Sequence, residues 1–72
     1  MLKNALKNLR KESKLTQQQL GDLVEVSRKT INTVENRVFY PSTFLSLKLA
    51  KALNVKVEDI FWLADSAESP EP

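Results

Sequence analysis

Leu15 to Arg37, LTQQQLGDLVEVSRKTINTVENR, holds two short helical patterns joined by a tight turn. Thr16 is a good N-cap for the first, and Leu20, Leu23 and Val24 recur behind it at helical spacing. Ser27 caps a second helix only a few residues later. At about 100° per residue, Arg28, Lys29, Asn32, Thr33 and Asn36 fall within one arc of roughly 140°. Ile31, Val34 and Ser27 fall on the opposite side. The second helix therefore has an inner face to anchor it and an outer face whose donors suit base edges and phosphates. A helix held in that way fits the major groove of DNA.

Seventy-two residues allow one small domain, with a core that is marginal unless the helices are regular or a partner covers an apolar face. There is no Cys and no His, which excludes disulfides, thiol chemistry, an imidazole base and the usual zinc sites. No metal and no cofactor are expected. The longest apolar runs fall far short of a membrane span and the N-terminus lacks an apolar signal region, so the expectation is a cytoplasmic protein without membrane partners. Net charge is +2, unevenly spread. Eleven Lys and Arg against six Asp and Glu leave +5 over residues 1–63, while Asp65, Glu68 and Glu71 make the end acidic. A basic body suits an anionic partner, although proteins that bind no nucleic acid share the asymmetry.

LTQQQLGDLVEVSRKTINTVEN resembles the helix-turn-helix of the phage repressor and Cro-like (XRE) family of bacterial and phage regulators. The family pattern runs L-T-Q-x-x-L-A-x-x-x-G-V-S-x-x-T-I-x-x-x-E-N-G. Leu15, Thr16, Gln17, Leu20, Val26, Ser27, Thr30, Ile31, Glu35 and Asn36 match it without a gap. The likeness continues through PSTFLSLKLAKALNVKVEDIF and so covers roughly residues 6–63. It implies an all-α fold, a compact bundle of five short helices. Residues 1–63 would be the DNA-binding domain and residues 64–72 a flexible acidic tail. Three positions depart from the pattern: Glu25 stands at the usual turn Gly, Gly21 at the usual Ala, and Arg37 at the Gly after Glu-Asn.

Leu2, Ala5, Leu6 and Leu9 recur as one stripe of a first helix, with Lys3, Lys7, Lys11 and Lys14 largely outside it. Those lysines read as a solvated face or as one or two phosphate contacts. Arg10 reads as a free surface charge or, by resemblance, as the partner of Glu35 in a structural ion pair. The resemblance also implies that Gln17 and nearby N–H groups approach a phosphate, as helix N-termini readily do. Gln18 and Gln19 read as ordinary exposed glutamines.

Arg28 and Lys29 are cations at a helix N-terminus, where they oppose the macrodipole, a placement that makes sense if an anion covers them. Arg pairs bidentately with guanine, Asn32 suits adenine, and Thr33 can meet a thymine methyl or a phosphate. These four are the candidates for base readout. By resemblance the following loop lies along the sugar-phosphate backbone, which makes Asn36 and Arg37 phosphate candidates. Ser42 joins them, though first as the N-cap of a fourth helix carrying Leu45, Leu47, Leu49, Ala50, Ala52 and Leu53. Tyr40 packs over the loop or lies along that backbone. Phe44 is packed or exposed near the DNA. Asn54 to Leu63 predicts a turn and a short last helix with Val57, Ile60 and Phe61 inward. Trp62 falls off that stripe, and with Phe61 and Leu63 it is a candidate dimer interface or packs within the chain.

The leading expectation is a sequence-specific DNA-binding transcription regulator, a repressor acting as a homodimer on a pseudo-palindromic operator in double-stranded DNA. The alternative is an antitoxin-type interaction module that neutralises a partner protein and autoregulates. Enzymatic activity has little support: the carboxylates are scattered and there is no Gly-rich phosphate loop. No small-molecule effector site is evident.

Overall fold

The computed structural model describes residues 1–64. Its elements run β1 (Leu2–Asn4), α1 (Leu6–Glu12), α2 (Gln17–Val24), α3 (Arg28–Glu35), α4 (Thr43–Leu53), α5 (Val57–Ile60) and β2 (Phe61–Leu63). Among the described residues the fold is thus five helices with a small two-stranded sheet, not helices alone.

The sheet replaces the first turn of the helix that the Leu2, Ala5, Leu6, Leu9 spacing predicts. β1 and β2 pair antiparallel with Leu2 opposite Leu63, Lys3 opposite Trp62 and Asn4 opposite Phe61. Ala64 N–H donates to the Met1 carbonyl at 2.7 Å and Ala5 N–H to that of Ile60 at 2.9 Å, extending the ladder at both ends. Asn4 is the local cause. Its Oδ1 accepts from Leu6 N–H at 3.1 Å, which starts α1 there, and its Nδ2 donates to the Val34 carbonyl at 3.1 Å. Asn favours such local bonds over helix interiors. At the other end Phe61 is extended (φ −126°, ψ 139°), so the last helix stops at Ile60 and Phe61 to Leu63 are strand. Residues 65–72, most of the acidic segment, lie outside the described residues.

Side-chain caps set the starts of the three central helices. Thr16 Oγ1 accepts from Gln19 N–H at 3.0 Å while Gln19 Oε1 accepts from Thr16 N–H at 2.8 Å. That reciprocal pair gives Gln19 a capping role that its exposure conceals. Ser27 Oγ accepts from Thr30 N–H and Ser42 Oγ from Leu45 N–H, each at 3.1 Å. Between α2 and α3 the chain turns through Glu25 in the left-handed region (φ 64°), after which Val26 N–H returns to the Gly21 carbonyl at 2.9 Å. A Cβ at Gly21 would lie 2.7 Å from the Val26 carbonyl oxygen, so this glycine permits the close fold-back.

Each helix gives at least one fully buried side chain to a single core: Leu6, Leu20, Val24, Ile31, Val34, Leu49 and Ile60. Burying each is worth about 1.5–3 kcal/mol relative to exposure. Phe61 joins this core from β2. Two apolar residues of the predicted stripes do not. Leu47 is 56% exposed because it lies about 200° round α4 from buried Leu45. Leu23 is 59% exposed, to one side of Leu20 and Val24, beside Lys48, Lys51 and Ala52. No helix of the described residues is long and apolar enough to cross a membrane.

Candidate nucleic-acid interface

Helix α3 is fixed from below and from one end. Ile31 and Val34 are buried in the core, and Glu35 carries the end. Glu35 accepts from Arg10 Nε at 2.6 Å, Arg10 Nη2 at 3.3 Å and Gln17 Nε2 at 3.0 Å. Arg10 Nη1 donates to the Leu15 carbonyl at 2.9 Å. The side chains of Arg10 and Glu35 are 9% and 2% exposed. One carboxylate therefore joins the end of α1, the start of α2 and the end of α3. Charge-assisted bonds of this kind are short, directional and strong.

That network also holds Gln17, which the resemblance offers as a phosphate contact. Its amide nitrogen is given to Glu35, and its Oε1 lies 3.5 Å from Arg28 Nη1. The side chain thus faces the ion pair and the first residue of α3. One of the two N–H groups of that amide, and the Gln17 backbone N–H in the first turn of α2, remain to meet an anion.

On the outer side of α3, Arg28 and Lys29 are exposed and Asn32 and Thr33 partly so. Asn36 Nδ2 donates to Asn32 Oδ1 at 3.2 Å, a pairing one turn apart that orients both amides. Thr33 Oγ1 donates back to the Thr30 carbonyl at 2.9 Å. Arg28, Lys29 and Arg37 take part in neither ion pair of the described residues. The face therefore carries two cations, Arg28 and Lys29, two amides and a threonine, while Glu35 at the end of the same helix is turned inward onto Arg10 and Arg37 stands past that end beside Leu2, Asn4 and Phe61.

Arg37 follows the helix in the left-handed region (φ 61°). Such a φ costs an L-residue about 1–2 kcal/mol, and Gly adopts it freely. Arg37→Gly should therefore stabilise the domain by about 0.5–1 kcal/mol, raising its melting midpoint by a few degrees. The same variant should bind duplex DNA more weakly on every sequence and reduce the salt slope by about one phosphate per bound chain. Thermal melts and titrations at several salt concentrations check the two halves. A gain in stability with unchanged affinity would remove Arg37 from the interface.

The remaining sequence candidates are more dispersed. Ser42 is exposed, with its hydroxyl engaged in capping α4. Tyr40 is 59% exposed and edges a shallow depression with Leu2, Val34 and Phe61. Phe44 is 71% exposed, with Lys48 Nζ 4.8 Å from its ring centre. Lys48 also meets Glu25 at 3.3 Å. Phe61 is buried in the chain's own core, so of the three dimer candidates only Trp62 (43% exposed) and Leu63 (73%) present a surface. Val38 and Phe39, which periodicity does not single out, stand beside Lys29 and Thr33. Their one sequence signal is that they are apolar in a loop otherwise made of polar and turn residues.

A helix-turn-helix family model matches residues 6–60. Over 64 residues the chain is 41% identical to the uncharacterised HTH-type transcriptional regulator YgzD of Bacillus subtilis, covering 89% of this chain and 97% of that protein. A second uncharacterised HTH-type transcriptional regulator, from Methanocaldococcus jannaschii, is 44% identical over 64 residues with the same coverage. Among solved structures, the restriction-modification controller protein C.AhdI from Aeromonas hydrophila superposes with a TM-score of 0.71 at 31% identity, covering 75% of this chain and 82% of that one.

Proposed function

The chain belongs to the helix-turn-helix family of phage repressor and Cro-like (XRE) DNA-binding transcription regulators, and from that membership we propose that it is a repressor that reads a pseudo-palindromic operator as a homodimer. The observation that carries the reading is the outer face of α3. Its cations join no ion pair among the described residues and its two amides bond one another, while the helix beneath them is locked by the Glu35 network. A rigid helix with an exposed polar face is what base readout requires, because a reader ordered only on binding gives up affinity to entropy.

Arg28, Lys29, Asn32 and Thr33 read bases. Asn36, Arg37, Ser42 and the N–H groups opening α2 hold phosphates and set register. Arg10 and Glu35 position the reader without touching DNA, and Gln17 joins them while keeping one amide N–H for a phosphate. Repression then follows from occupancy, by keeping other proteins off the bound DNA.

Trp62 and Leu63 supply the self-association surface. Both are exposed on β2, and aromatic and aliphatic side chains are enriched at interface cores. A two-fold dimer that reads successive major grooves requires its α3 helices about 34 Å apart, one turn of DNA. Trp62→Ala with Leu63→Ser should shift sedimentation towards the monomer at micromolar protein and weaken operator binding more than half-site binding. Unchanged sedimentation would move the dimer contact elsewhere.

Selection from a random duplex library at near-physiological salt tests the function. Enrichment of an inverted repeat with half-sites one turn apart supports a dimeric reader. Salt-sensitive binding with no enriched sequence would leave only a basic surface and defeat the proposal.

A further inference from the structure

Beside α3 lies an open cleft of about 310 Å³ lined by Lys29, Thr30, Thr33, Val38 and Phe39. We propose that Val38 and Phe39, with Thr33, form a socket for the 5-methyl group of a thymine, which makes them specificity-determining residues of the reader. The inference rests on the DNA-reading function above and adds to it the base feature that this flank recognises.

The loop is not free to wander from the helix. Val38 N–H and Phe39 N–H both donate to the Thr33 carbonyl, at 2.9 and 3.2 Å, so the two side chains are set against the flank of α3. Val38 is nevertheless 76% exposed and Phe39 47%. The Thr33 hydroxyl is turned back to the Thr30 carbonyl, which leaves the outward part of that side chain apolar. The only ionisable group on the lining is Lys29, a cation, so a polyanion approaches the cleft without repulsion. Lys29 and Thr33 also belong to the base-reading arc, so the cleft continues that face rather than forming a separate surface. In the major groove the one apolar feature a base pair offers is the thymine methyl. An apolar recess continuous with hydrogen-bonding side chains is complementary to it.

The test removes that methyl alone. In the duplex enriched by selection, each thymine is replaced in turn by deoxyuridine, and Kd is measured for wild type, Val38→Ser and Phe39→Ala. Both substituted side chains are exposed, and melts confirm that the variants stay folded. Wild type should lose affinity about fourfold at one thymine per half-site, the value of burying one methyl at ~0.8 kcal/mol. In each variant that loss should shrink to less than about twofold, while the preference assigned to Arg28 persists. Specific binding without a deoxyuridine penalty, or with a penalty that both variants retain, overturns the socket but leaves the DNA reader intact. Weakened self-association with equal losses on thymine and deoxyuridine duplexes would show that a second copy covers the cleft, and also overturns it. Failure to enrich any duplex removes the reader and the socket together.

Discussion

Glu35→Ala should lower the melting midpoint of the domain by about 15 °C or more, the largest effect expected of any single substitution at its surface-to-core boundary. Three donors converge on that carboxylate, two from Arg10 and one from Gln17, and its side chain is 2% exposed. Truncation leaves a nearly buried guanidinium with only the Leu15 carbonyl, an unpaired charge that costs about 3–5 kcal/mol. For a domain of this size that is much of the total stability. Each kcal/mol moves the midpoint by about 4–8 °C. The pair is not expected to exceed a well-packed apolar replacement, because burying both ions carries its own desolvation penalty. Arg10→Met combined with Glu35→Leu should therefore recover most of the loss. Urea denaturation of the two variants separates the cases. A loss under about 1 kcal/mol for Glu35→Ala would mean that the pair behaves as a solvated surface bridge.

The Arg28→Ala, Lys29→Ala double variant should lose sequence-specific binding while keeping its fold. Both side chains are exposed at the start of α3 and neither joins an ion pair among the described residues, so their removal costs the core nothing. Arg28→Ala alone should cost about 1–3 kcal/mol of binding, roughly five- to more than a hundredfold, and relax the preference at one base position. Lys29→Ala should add a loss that is steeper at low salt. Removing two cations from a helix N-terminus also relieves an unfavourable interaction with the macrodipole, so the melting midpoint should hold or rise slightly. An Arg28→Ala protein with the wild-type base preference would strip that residue of its role.

The helix-turn-helix was legible because its signals are local. Thr16 and Ser27 are capping residues, Ile31 and Val34 define an inner face, and all four act within a turn or two of themselves. The Arg10 to Glu35 bond spans 25 residues and has no local signature; only the resemblance pointed to it. The sheet was illegible for a related reason. Leu2 fits the helical stripe, and what draws it into β1 is pairing with Leu63 at the far end of the domain together with the Asn4 side chain. Leu23 and Leu47 show the limit of counting apolar residues, since hydrophobicity alone does not say which face of a helix meets the core. Gln17 shows what position alone leaves out: the motif places it at the start of α2, and only the fold shows that one of its amide donors also meets Glu35.

The most direct measurement is a backbone amide NMR titration of the 72-residue chain with its selected operator duplex. Shifts should concentrate at Gln17, across Arg28 to Arg37 on the outer face of α3, at Val38 and Phe39, and at Ser42. Lys48 and Lys51, beside exposed Leu23, should stay nearly still. Shifts centred instead on Leu23, Leu47, Lys48 and Lys51, with α3 unmoved, would contradict the assignment of α3 as the reader.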